Sequence, residues 1–289
     1  MHDLAAEVSK ASAIENVLPT KEKIAETIAE NTERGKWKPI LMVMADGVML
    51  PTRPNTGSRQ GKREAGEWKE AEGIRMILIT TKTVISLLHW HEIGNEQEFG
   101  EALDFCATLI PQDQVRIGLI ADGASWIWAH FSRVFPDGRQ ILDYYHCSQH
   151  LHETAKAQFK TDEEQIAWVE STMGQLFMGE APSVIKGLRQ MVPNNPEALK
   201  KIKNLADYLS KNEHRVNYKS LKKGQYPIGS GAMESANRFV CQIRIKRPGA
   251  WWYTIHGNAM LRLRCAMYNK TFDVVFDAYK KQSTLSRNR

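Results

Sequence analysis

Two short, continuous apolar runs, each closed by the same dipeptide, constrain this chain more than any other feature. Ile40-Leu41-Met42-Val43-Met44-Ala45 is followed by Asp46-Gly47, and the run from Val115 to Ala121 by Asp122-Gly123. An apolar run of this length without polar alternation suits a strand buried on both faces, as at the centre of a sheet covered by helices. A strand end followed by Gly is a place where the chain can turn and a ligand can approach closely. The sequence therefore predicts an α/β sheet with an acid at the end of two central strands.

The rest of the pattern fits that frame. Residues 1–34 have helical spacing, interrupted at Pro19, and residues 48–50 start a further strand cut by Pro51 and Pro54. Residues 53–73 are polar, Gly-rich and close to neutral, which predicts a long exposed loop; residues 74–80 form the next strand. Helices are expected over 96–109 and 124–134, then a short strand at 141–145 leading into a helix over 146–159. Residues 161–210 read as all-helical, followed by helices over 233–243 and 253–268 and a disordered polar tail over 280–289. At roughly 150 residues per domain, 289 residues suggest about two domains, or one large domain carrying an insertion. The expected segments are a helical arm (1–36), a first core part (37–158), a helical insertion (159–221), a second core part (222–270) and a tail (271–289).

Charge is distributed unevenly. Residues 222–270 hold nine Lys and Arg against one acid, Glu234, whereas residues 1–221 hold 26 bases and 30 acids. A basic segment enclosing a lone carboxylate points to a polyanionic partner near that carboxylate. The four cysteines form no C-x-x-C pair, no leader core opens the chain, and no run approaches 18 apolar residues. These features predict a cytoplasmic protein with no membrane span.

If both apolar strands are central, Asp46 and Asp122 can face one another, and two close carboxylates repel unless a cation lies between them. Mg²⁺ suits such oxygen ligands together with phosphate oxygens. Glu234 sits in the first turn of a helix after Gly229-Ser230-Gly231, where a third carboxylate could complete a two-metal site for phosphodiester displacement. The alternatives are plain Asp-Gly turns and a helix-dipole acid.

Three local motifs carry a resemblance: Ala45-Asp46-Gly47, the segment Ala121-Asp122-Gly123-Ala124-Ser125-Trp126-Ile127-Trp128, and the segment from Pro227 through Gly229-Ser230-Gly231-Ala232-Met233-Glu234-Ser235-Ala236 to Asn237. Together they resemble the catalytic triad of bacterial insertion-sequence DDE transposases of the Mutator-like and Kra-type groups. Asp143-x-x-His146 matches the Asp/Cys-x-x-His element such enzymes carry after the second Asp. The resemblance covers about residues 37–270. It implies an RNase H-like mixed sheet flanked by helices, with an all-helical insertion between the second Asp and the Glu. It also implies two Mg²⁺ ions, with Mn²⁺ as a substitute, held by Asp46, Asp122 and Glu234. One ion would activate water or a DNA 3′-hydroxyl and the other would stabilise the leaving oxygen. His146 would position the scissile phosphate or assist proton transfer. DNA, as element ends and target, is the implied partner, bound by a homo-oligomer, with no small-molecule substrate. The short stretch before the first strand leaves little room for an end-reading domain, so a truncated or split element is expected.

Arg238, Arg244, Lys246, Arg247, Trp251, Trp252, Arg262 and Arg264 are the candidate DNA contacts, through the backbone and by base stacking, with anchoring of the last helix the equal alternative for Trp251 and Trp252. Arg262 and Arg264, two apart on one helix, cannot both line one groove. Trp126 and Trp128 read first as core. His146, Cys147, His150 and His152 cluster, but no second ligand pair completes a zinc set. The rival functions are a non-catalytic DNA-binding remnant, a Mg²⁺ phosphohydrolase of small esters and a structural zinc module.

Overall fold

The computed structural model describes residues 2–32, 37–53 and 66–287. Helices α1 (His2–Ser9), α2 (Ile14–Val17) and α3 (Lys21–Glu30) precede β1 (Ile40–Arg53), β2 (Glu67–Ile79) and β3 (Val84–Ile93). There follow α4 (Glu96–Thr108), β4 (Arg116–Ala121), α5 (Ser125–Val134), β5 (Arg139–Leu142) and α6 (Tyr144–Gln158). Next come α7 (Asp162–Met178), α8 (Ala181–Gln190), α9 (Pro196–Lys211), α10 (Tyr218–Lys223) and α11 (Gly231–Asn237). The described chain closes with β6 (Trp252–Tyr253), α12 (Thr254–Asn269) and α13 (Phe272–Arg287). The strands form a mixed open sheet in the order β3-β2-β1-β4-β5, with β6 beside β1.

The chain divides into two compact units. One contains Met1–Ile117, His130–Gly138 and Gly231–Arg289; the other contains Gly118–Ala129 and Arg139–Ser230.

In the first unit β1, β2 and β3 form an antiparallel meander, and β6 joins β1 in parallel at Thr52 and Arg53. The expectation of a strand ending at Asp46-Gly47 is overturned. β1 runs through both residues, because β2 continues opposite them: Asp46 pairs with Gly73 and Gly47 with Glu72. For the same reason residues 67–73 are strand rather than loop, while residues 54–65 of the expected loop lie outside the described residues. β3 had no counterpart in the sequence pattern. It is the edge strand, and α12 covers it: the Asn258 side chain accepts from the Ile93 N–H and donates to the Ile93 carbonyl.

The N-terminal helices belong to this unit. Asn269 donates to the carbonyls of Val17 (3.0 Å) and His89 (2.8 Å), and the Thr271 hydroxyl donates to Val17 O at 2.6 Å. Val17, Ile24 and Ile28 are fully buried. The C-terminal stretch read as disordered is helix α13 up to Arg287, seated through buried Val275.

In the second unit β4 and β5 pair in parallel, and α6–α10 supply most of the mass. Thr161 with Glu164 makes a capping box for α7, and Asn195 caps α9 ahead of Pro196 at its first turn. Fully or almost fully buried Leu151, Leu176, Leu205, Leu209 and Tyr218 form the core.

Candidate functional site

In the first unit, Asp46 lies half-buried in the middle of β1. Its carboxylate Oδ2 accepts a 2.7 Å hydrogen bond from Asn237 Nδ2, and Asn237 Oδ1 lies 2.7 Å from His91 Nε2. Asn237 is the last residue of α11, three positions after Glu234, so the two share a helix face. Asp46 is thereby tied to the helix that carries Glu234, 191 positions separating Asp46 from Asn237. Glu234 itself is exposed. Gly73 makes room for the arrangement. A β-carbon there would stand 2.5 Å from Met233 Cε and closer still to the His91 ring. Asn237 closes the quoted Gly-Ser-Gly motif, yet its type and spacing give no sign of this role.

Directly after Asn237 the chain continues as a π-helical turn, Arg238–Gln242, with the Ile243 N–H bonded to the Arg238 carbonyl at 3.0 Å. Such a bulge shifts the phase of the helix and is frequent at functional sites. Here it buries Val240 and Cys241 and leaves Arg238 exposed. Lys246 and Arg247 are also exposed, and Lys246 lies 5.5 Å from the centre of the Trp68 ring. Trp251 is half-buried and meets Trp68 edge-on at 6.1 Å.

The other basic and aromatic candidates point inward. The Trp252 indole is buried and donates to Ile245 O at 3.0 Å, with the Arg244 guanidinium 5.7 Å from its ring centre. Arg262 pairs with Glu92. Arg264 donates to the carbonyls of Phe239 and Val240 where α12 passes the π turn.

In the second unit, Asp122 follows β4 directly, and here the Asp-Gly pair is a turn. Gly123 has φ of +112°, a conformation that disfavours side chains. A β-carbon there would also stand 2.7 Å from Tyr208 Cε2. Asp122 Oδ1 accepts from the Ala124 N–H at 3.0 Å, and the Tyr208 hydroxyl donates to Asp122 O at 2.8 Å. Burial pushes the Tyr208 phenol up, which keeps it a donor. Trp128 is buried beneath the Arg215 guanidinium, 4.3 Å from its ring centre.

Asp143 is buried and accepts three main-chain N–H bonds: from Tyr145 at 2.7 Å, His146 at 3.3 Å and Ser230 at 2.9 Å. His146 is therefore bonded to Asp143 through its main chain. Asp143 also joins the start of α6 to the Gly229-Ser230-Gly231 lead-in. The Tyr145 ring fills the space beside Gly229. The half-buried His146 thus stands in the first turn of α6, on a fixed backbone.

Oxygen donors dominate both places. Asp46 and Glu234 in the first unit, and Asp122 in the second, offer the hard ligands that Mg²⁺ prefers. Compared with protein-family models and with curated proteins, the chain matches none.

Proposed function

We propose that this chain is the catalytic region of a DDE-type DNA transposase with an RNase H-like core, cutting and joining DNA strands in Mg²⁺ through Asp46, Asp122 and Glu234. The observation that carries the reading is the hydrogen bond from Asn237 to Asp46. It fastens the helix of the lone acid in the basic segment to the strand of the first aspartate. The mixed sheet, the Asp-Gly turn after β4 and the run of helices α6–α10 between Asp122 and Glu234 agree with what the resemblance implies.

Asp46, Asp122 and Glu234 would hold the ions, which would supply Lewis-acid stabilisation of phosphate charge and a more acidic bound water. Asn237 fixes the rotation of the Asp46 carboxylate. Asp143 fixes the backbone of His146, so the imidazole can hold a phosphate oxygen or accept a proton from the attacking hydroxyl. Arg238, Lys246 and Arg247 hold DNA phosphates, and Trp251 offers a ring beside them. DNA at element ends and targets is the substrate, handled by more than one copy of the chain.

The test is strand cleavage of supercoiled DNA carrying the sequences that flank the chain's own gene. Wild type should nick it in Mg²⁺ or Mn²⁺ and not in EDTA. Asp46→Asn should not nick in either ion, yet should bind the DNA with unchanged salt dependence. Cleavage by Asp46→Asn in Mg²⁺ would sink the assignment, and DNA binding without cleavage by wild type would favour a non-catalytic remnant.

A further inference from the structure

Under the edge strand β3, three side chains that the proposed strand chemistry does not use face one another. His89, His91 and Cys265 are each completely buried, and each offers a ligand atom within 4.8 Å of the other two. The histidines are two residues apart on β3 and so project from one face of the strand, with ring centres 4.6 Å apart. Cys265 comes from α12, the helix that covers that strand.

Three of the four ring nitrogens of this cluster are not satisfied by the fold. Among the described residues, neither ring nitrogen of His89 has a hydrogen-bond partner, and neither does His91 Nδ1. A buried polar atom left without a partner destabilises the fold, and native cores rarely tolerate several together.

The tautomer of His91 follows from its neighbours. The Asp46 carboxylate only accepts, so the Asn237 amide must present Nδ2 to it and Oδ1 to His91. His91 Nε2 therefore carries the proton, and Nδ1 presents a lone pair. A metal-binding histidine is held in this way, its second nitrogen donating to an outer partner that fixes the ring. Burial pushes the Cys265 thiol well up, while the His91 main chain and Arg264 favour the thiolate. A bound metal would displace that proton.

We propose that one nitrogen of His89, His91 Nδ1 and Cys265 Sγ bind a single zinc ion that staples β3 to α12. Two imidazoles and a thiolate are ligands of a borderline-soft ion rather than of Mg²⁺ or Ca²⁺. With zinc bonds of about 2.0–2.3 Å, tetrahedral ligand atoms stand about 3.5 Å apart, so modest side-chain rotation closes the set. Arg75 lies opposite His89 on β2 and opposes a cation there; the Cys265 thiolate offsets part of that repulsion. The three residues leave a fourth coordination position.

The full chain, purified without added metal or DNA, should contain one equivalent of zinc by mass spectrometry. Exchange for Co²⁺ should give the thiolate-to-cobalt charge-transfer band and the intense visible bands of a tetrahedral site. Cys265→Ser should lose the charge-transfer band. Because these residues are in the core, the wild-type Co²⁺ spectrum decides if that variant fails to fold. A wild-type chain that takes up neither zinc nor Co²⁺, or a Co²⁺ spectrum without a thiolate band, would overturn the proposal. None of these readings depends on strand cleavage, so the site and the proposed activity can fail separately.

Discussion

At the residue scale, small substitutions separate packing from charge. Gly73→Ala places a methyl group against the His91 ring and Met233 Cε. It should cost about 1–3 kcal/mol in urea unfolding, the usual range for forcing a side chain into a filled core. Gly174→Ala and Gly187→Ala, at exposed positions inside α7 and α8 with nothing within 4 Å of the new carbon, should instead stabilise by about 0.4–1 kcal/mol. Asn237→Leu removes both the donor to Asp46 and the acceptor for His91 Nε2. An outer hydrogen-bond partner of this kind is worth about 10–100-fold in activity or metal affinity. The variant should show that loss in Mg²⁺-dependent cleavage while still binding DNA, and an unimpaired rate would remove Asn237 from the machinery.

At the element scale, two joints are exposed to test. Asp143→Ala leaves the Tyr145, His146 and Ser230 N–H groups without their carboxylate. It should lower stability by about 1–3 kcal/mol, with amide exchange speeding up first at the start of α6 and around Ser230. Lys246→Ala with Arg247→Ala, on the exposed turn after the π helix, should lower the log–log salt slope of DNA binding by about 2 if both touch phosphates. These elements also show what the sequence could disclose. Most helices were legible from their apolar spacing, though not α13, and β4 from an apolar run closed by a turn. β1 was legible as a strand but not in its length, because whether Asp46-Gly47 turns or continues depends on β2 lying opposite, a long-range fact. β3 escaped because His89 and His91, polar by type, lie buried under α12, and its inward face does not read as apolar. Of the proposed site, the sequence offers the three carboxylates, which stand in local motifs. Asn237 and the His89–His91–Cys265 cluster were not, since pairings across about 150 residues or more leave no local spacing to read.

At the scale of the whole molecule, the first unit depends on both ends of the described chain. The Val17 carbonyl accepts from both Asn269 and Thr271, and α1–α3 bury Val8, Val17, Ile24 and Ile28. Removing residues 2–32 should abolish the cooperative melting of the first unit, since burial of a few aliphatic side chains at about 1.5–3 kcal/mol each rivals the net stability of a domain. The helices of the second unit should persist in that variant, read by circular dichroism and limited proteolysis. Simultaneous loss of both would show that the units are one cooperative block.

The interleaving of the first unit also sets an order of events during synthesis. Its strands β1–β3 leave the ribosome early, but α12, which covers the edge strand, and α11, which reaches Asp46, come after residue 230. The second unit is nearly continuous in sequence, so it can fold while the first still waits with an uncovered sheet edge, and late closure of distant contacts is the slow and aggregation-exposed step. A nascent chain cut short anywhere before α12 would therefore hold its first aspartate in a sheet without the helix that covers its edge. Under the proposed function, competence for cleavage would arrive only once α11 and α12 had been translated, a built-in delay between making the first strands and completing the site.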